Sequence, residues 1–187
     1  MKTKQRKIKF LERKEVEKLV AGIEAKGKRN LRDRALIEVL FSTGMRISEA
    51  LALQSDEMLI LLKERAASEL PIIGKGGWQR VVFFSPRAKE ALRAWLAVSD
   101  EQAGGEVFSI TPRAAQIMIK KRAKEAGIDK FVSPHVLRHS LATDLLRKGV
   151  DVRIVGEFLG HRNLNNTMIY THVVNEQLKS IHKKLYR

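Results

Sequence analysis

The chain has 187 residues, no cysteine, and 36 Lys and Arg against 21 Asp and Glu, a formal charge of +15. Without cysteine, disulfides, thiolate catalysis and thiolate-held zinc are excluded, and no apolar run nears the roughly 20 residues that cross a bilayer, which predicts a soluble, cytoplasmic protein with no membrane partner. The charge excess favours a polyanionic partner over a merely soluble basic protein, because each phosphate neutralised by Lys or Arg releases counterions.

The length suits a single domain with a real core, and no repeat, low-complexity tract or linker interrupts it. The basic start MKTKQRKIKF is not followed by an apolar stretch of signal-peptide length. Val16, Leu19, Val20 and Ile23 share one face of a first helix; Leu31, Ala35, Leu36, Val39 and Leu40 mark a second that stops at Gly44, and a short third covers about Ile47 to Leu53. Between Met58 and Phe84 the runs MLILL, ELPII and RVVFF, separated by polar or glycine-rich turns, predict a small three-stranded antiparallel sheet. Ser85-Pro86, Thr111-Pro112 and Ser133-Pro134 each set a capping hydroxyl before a proline at the first helical position, predicting three helix starts. Gly127 and Gly149 stand past the ends of the last two, and Asp151 caps a further helix ending near Gly160. A short helical piece around Met168 to Thr171 and a last stretch with a Leu178, Ile181, Leu185 stripe complete a mostly α-helical α+β fold.

In SPHVLRHSLATDLL, His135, Arg138 and His139 fall at i, i+3, i+4 near a helix start, an arrangement suited to a phosphate. A solvated basic face and a zinc pair compete with that reading. The zinc pair is the weaker, because the motif lacks the glutamate of H-E-x-x-H and sets Arg138 between the histidines. Arg46 lies between a glycine-ended helix and an apolar one, Lys75 at the tip of a glycine-rich hairpin, and His161 and Tyr170 after a helix end. Taken singly, Arg46 reads as a surface arginine, Lys75 as a solvated turn lysine and Tyr170 as a packed ring.

Taken together and in order, FLERKEVEKLV, STGMRISEALAL, GKGGWQR, PHVLRHSLATDLL and VGEFLGHRNLNNTMIYTHV resemble the catalytic domain of the tyrosine recombinases, the Xer-type and phage-integrase-like family. The resemblance implies one catalytic domain over residues 1–187, without the small helical domain that most members carry ahead of it. Carried over residue by residue, it makes Arg46 and Arg138 the paired phosphate clamps, Lys75 the hairpin lysine that protonates the leaving 5′ oxygen, and Tyr170 the nucleophile. His135 and His161 become the histidine positions, the first as base and the second as a hydrogen-bonding partner of the phosphate. It implies double-stranded DNA as partner, no metal, no cofactor and no small-molecule substrate, and a homotetramer on synapsed sites with the C-terminal tail passed between protomers. Glu49 is expected to pair with a basic group or brace the site, and His139 to tie its helix to neighbouring backbone, or each to be purely structural. Tyr186, the other tyrosine, has no basic constellation around it. Two other readings stay open: a type IB topoisomerase-like enzyme, against which the LGHRN…YTH spacing argues, and a DNA-binding or regulatory protein of the same fold without turnover.

Overall fold

The computed structural model describes residues 9–63, 68–74, 77, 79–100, 105–161 and 173. In chain order they form α1 (Arg13–Ala21), α2 (Lys28–Thr43), α3 (Ile47–Leu51), α4 (Ser55–Lys63), β1 (Glu69–Ile73), β2 (Gln79–Phe83), α5 (Pro86–Leu96), α6 (Pro112–Glu125), α7 (Pro134–Arg147) and α8 (Val152–Leu159).

Helix α2 is the axis of the fold. Ala35, Leu36, Ile37, Val39 and Leu40 cover every side of it and are all buried, as expected of a helix surrounded by others. Helices α1, α3, α5, α6 and α7 and strand β2 pack around it. Its buried Asp33 is satisfied rather than stranded: Arg122 of α6 donates to Oδ2 from Nε at 2.9 Å and Nη2 at 2.7 Å, and Arg32 Nη2 donates to Oδ1 at 2.8 Å. The three Ser/Thr-Pro starts hold, with Ser85, Thr111 and Ser133 hydroxyls accepting from the backbone N–H groups of Ala88, Ala114 and Val136. Asp151 caps α8 by accepting from Arg153 N, and Gly160 ends it in the left-handed region.

The expected three-stranded sheet is corrected to two strands among the described residues, with β1 and β2 antiparallel in the register Glu69↔Phe83 to Ile73↔Gln79. Met58 to Leu62 belongs to helix α4 instead. Leu and Met are good helix formers, only Ile60 in that run is β-branched, and Asp56 and Glu57 suit the positive end of the helix dipole. Met58, Leu61 and Leu62 fall at i, i+3, i+4 and are buried, while Leu59 and Ile60 face solvent. An apolar run of five cannot by itself distinguish a strand from a buried helical face.

The hairpin turns Leu70, Ile72, Arg80 and Val82 toward the body and leaves Ile73, Val81 and Phe83 exposed. Its base is fastened to the C-terminal turn of α2 through Ser42, whose hydroxyl donates to Phe83 O at 3.2 Å and accepts from Ser85 N at 2.5 Å. Helix α8 lies beside β2, with the Phe83 and Phe158 rings stacked at 6.1 Å between centroids. The expected pieces at Met168–Thr171 and beyond Asn175 lie outside the described residues, apart from Val173, which is buried with Ala142, Leu146, Val155 and Leu159 of α7 and α8.

Candidate active site

Three chain turns converge: the α2–α3 junction, the first two turns of α7, and the end of α8. At the first, Gly44 takes a left-handed conformation (φ 62°) and Met45 plugs into the core. Thr43 fixes the junction, its hydroxyl donating to Val39 O at 2.7 Å and accepting from Met45 N at 3.2 Å. Arg46 therefore emerges at the N-cap of α3 with its side chain 31% exposed.

Glu49, three residues on, accepts from Arg46 N at 2.8 Å and from Arg46 Nη1 at 2.9 Å. The same carboxylate accepts two bonds from Arg80 of β2, Nη1 to Oε1 at 3.1 Å and Nη2 to Oε2 at 2.7 Å. One buried carboxylate thus braces two guanidinium groups, and Arg46 Nη2 reaches on to Gly160 O at 3.3 Å.

Arg138 enters from α7 and is only 6% exposed. Its fork donates from Nη1 to Gly44 O and from Nη2 to Leu159 O at 2.5 Å, joining the ends of α2 and α8. On the same helix His135 is exposed in the first turn and His139 half-buried in the second. Helix α8 closes with a Schellman pattern, in which Gly160 N donates to Glu157 O at 2.8 Å and His161 N to Gly156 O at 2.9 Å. That turn delivers His161 into the group of arginines.

The electrostatics follow from this crowding. Burial pushes the Glu49 carboxyl up, but the Arg80 hydrogen bonds, the Arg46 N–H and the Arg80 charge outweigh it and hold its pKa at about 2. Burial, then the charges of Arg138 and Arg46, with His139 and Arg80 behind them, push His161 down to about 4. His139 is lowered too, by burial and then by His135 and Arg138. Three guanidinium groups against one carboxylate, with His161 neutral at neutral pH, make an anion-seeking site.

Of the six expected site residues, the structure gathers Arg46, Arg138 and His161, and places His135 on the α7 face that holds Arg138. Lys75 lies outside the described residues, in the connection between paired residues Ile73 and Gln79, where Gly77 N donates to Gly74 O at 3.2 Å. Tyr170 also lies outside them, three residues before the buried Val173. The sequence reading missed Arg80. In QRVVF it shares the inward face with Val82, a parity that the five residues alone do not settle, since Val81 and Phe83 lie on the other. Among the described residues no group of three or more His, Asp or Glu is placed to hold a metal ion, and no helix is long and apolar enough to cross a membrane.

Comparison with known proteins gives this geometry a context. The chain is 41% identical over 169 residues to the tyrosine recombinase XerD of Corynebacterium glutamicum and 40% identical over 158 residues to the tyrosine recombinase XerC of Xylella fastidiosa. Either alignment covers 81% of this chain and 52% of the relative, so the chain spans about half the length of these curated relatives. The fold is similar to the crystal structure of XerA recombinase (TM-score 0.74, 30% identity, 95% of this chain and 65% of that one). It is similar also to XerH recombinase bound to its palindromic difH substrate in a post-cleavage complex (TM-score 0.72, 27% identity, 96% and 54%). The model of the phage integrase family matches residues 9–177, and the chain belongs to that family.

Proposed function

We propose that this chain is a DNA strand-exchange domain that cuts and rejoins duplex DNA through a covalent bond between a phosphorus atom and Tyr170. The observation that carries the reading is the convergence of Arg46 and Arg138 beside His161, with one carboxylate, Glu49, bracing Arg46 and Arg80. A phosphodiester repels nucleophiles because it is anionic, so guanidinium forks held in advance both position it and stabilise the charge that grows in the transition state. Arg46 is half-exposed and braced from behind, as a group that grips an incoming phosphate has to be.

In this reading the Tyr170 oxygen attacks phosphorus and its proton passes to His135, which stands exposed at the start of α7. The bond to the 5′ oxygen breaks as Lys75 protonates it, leaving a 3′-phosphotyrosyl link and a free 5′ hydroxyl. His161 lends a hydrogen bond to a nonbridging oxygen. One phosphoester replaces another, so the 5′ hydroxyl of a second strand reverses the step without ATP or metal.

Double-stranded DNA is the partner, and a homotetramer on two synapsed sites in the cytoplasm is the working assembly. The DNA partner is supported by the charge of +15 and by XerH, whose structures are a pre-cleavage complex on difH and a post-cleavage complex on palindromic difH. No observation in the site favours a topoisomerase or a non-catalytic binder.

A pool of nicked duplexes with randomised sequence around the nick tests the proposal, because loss of the short fragment traps the cut strand on the protein. A protein–DNA band that survives denaturing electrophoresis, and forms equally in excess chelator, is the expected result. Duplex binding without any covalent band would overturn it.

A further inference from the structure

The hairpin β1–β2 has a mechanical problem. Two strands alone are marginally stable in water, yet their connection carries Lys75, which must meet a 5′ oxygen within a fraction of an ångström. The base of the hairpin is fixed by Ser42 and by the buried Val82. Toward the tip, Ile72 is only half-buried and Ile73 is exposed. Arg80, paired in register with Ile72, sits one residue from the end of the ladder.

Its side chain is 10% exposed and faces a Glu49 that is 7% exposed. Both terminal nitrogens of Arg80 aim at Glu49, while Arg80 Nε is buried with no hydrogen-bond partner among the described residues. The end of the Arg80 side chain also packs closely against Gly160. A Cβ there would come within 2.9 Å of Arg80 Cδ and 3.0 Å of Nη1, so the turn that delivers His161 is shaped around this arginine.

We infer that Arg80 is a positioning residue, a tether that sets the hairpin lysine in register with the Arg46 clamp by gripping Glu49, the carboxylate both arginines share. This rests on the reading of Lys75 as the acid that protonates the leaving oxygen. A leaving group that needs no proton should then make the tether dispensable, whereas a residue needed only for folding or for holding the phosphate would matter for any leaving group.

The test compares cleavage of a trapped duplex having an ordinary 5′ oxygen at the scissile phosphate with the same duplex having 5′ sulfur there, using the wild-type chain, Arg80→Met, Arg80→Lys and Lys75→Ala. Arg80→Met should lose on the order of 100-fold on the oxygen substrate and only a few-fold on sulfur, the same selectivity expected of Lys75→Ala. Arg80→Lys, which keeps the charge and loses the paired bonds, should show the same selectivity to a smaller degree, and it serves if the Met variant does not fold. Equal losses on both substrates, or no loss on either, would overturn the tether. If Lys75→Ala shows no preference for sulfur while the wild type cleaves both, the reading of Lys75 fails and the inference falls with it.

Discussion

Arg46 and Arg138 bear the same guanidinium in unlike surroundings, and substitution should separate them. Arg46 is half-exposed and shares Glu49 with Arg80, whereas Arg138 is buried and holds the carbonyls of Gly44 and Leu159. Arg46→Lys keeps charge without the fork, so cleavage should fall by orders of magnitude with little change in melting temperature or in affinity for bulk duplex. Arg138→Lys should lose cleavage and also about 1–3 kcal/mol of stability, because at least one buried helix-end carbonyl loses its donor; parallel urea unfolding and adduct formation check both. His161 gives a second prediction. Its pKa of about 4 lies below the ordinary 6.5, so between those values the unfolded chain binds a proton that the folded site refuses, and stability falls as pH drops from 6.5 to 4. Glu49, held at about 2 rather than 4.5, adds stability above pH 4.5 that is lost as pH falls toward 2. Replacing His161 by Asn should flatten the loss between pH 6.5 and 4, and binding of a phosphate-bearing duplex should raise the imidazole titration seen by NMR in the wild type. A titration near 6.5 in the free protein would contradict the crowded site. The sequence already showed Arg46, Arg138 and His161 as candidates, because Arg46 follows a glycine-ended helix, Arg138 shares a helix face with two histidines near a Ser-Pro start, and His161 follows a helix end. Arg80 was hidden, since only the pairing of β2 shows which parity faces inward.

Among the elements, the α2–α3 junction concentrates the geometry. Gly44 has φ 62°, a Cβ there would meet Leu159 Cδ2 at 2.8 Å and Leu141 Cδ2 at 3.0 Å, and its carbonyl accepts from Arg138. Gly149 is left-handed as well (φ 89°), but a Cβ there meets nothing within 4 Å. Gly149→Ala should therefore cost only backbone strain, about 1–2 kcal/mol, with cleavage nearly intact. Gly44→Ala should cost more and sharply reduce cleavage, because the leucines it displaces lie on α7 and α8, the helices that carry Arg138 and lead into His161. Equal melting temperatures and equal activities in the two variants would refute this. Helix starts were legible because Ser85, Thr111 and Ser133 declare themselves chemically, through a hydroxyl and a following proline. The run MLILL was not, because its helical face is settled by what α4 packs on and not by the five residues themselves.

For the molecule as a whole, 36 basic against 21 acidic residues point to binding dominated by phosphate contacts. With six or more such contacts, duplex affinity should fall on the order of 1000-fold between roughly 50 and 200 mM salt, which fluorescence anisotropy across a salt series measures. A flat salt response would contradict it. The mostly helical α+β class was readable from periodicity. The burial of α2 on all sides was not, because a helix covered by neighbours loses the polar face that a periodic pattern needs. Lys75, Tyr170 and the tail after Asn175 lie outside the described residues, and the sequence motifs carry their proposed roles. A covalent bond between DNA and one tyrosine is read directly by mass spectrometry of the trapped adduct after protease and nuclease digestion. The residual nucleotide should lie on the Tyr170 peptide, with no adduct from Tyr170→Phe, whereas a nucleotide on Tyr186 or a histidine, or an adduct from the Phe variant, would refute the assignment.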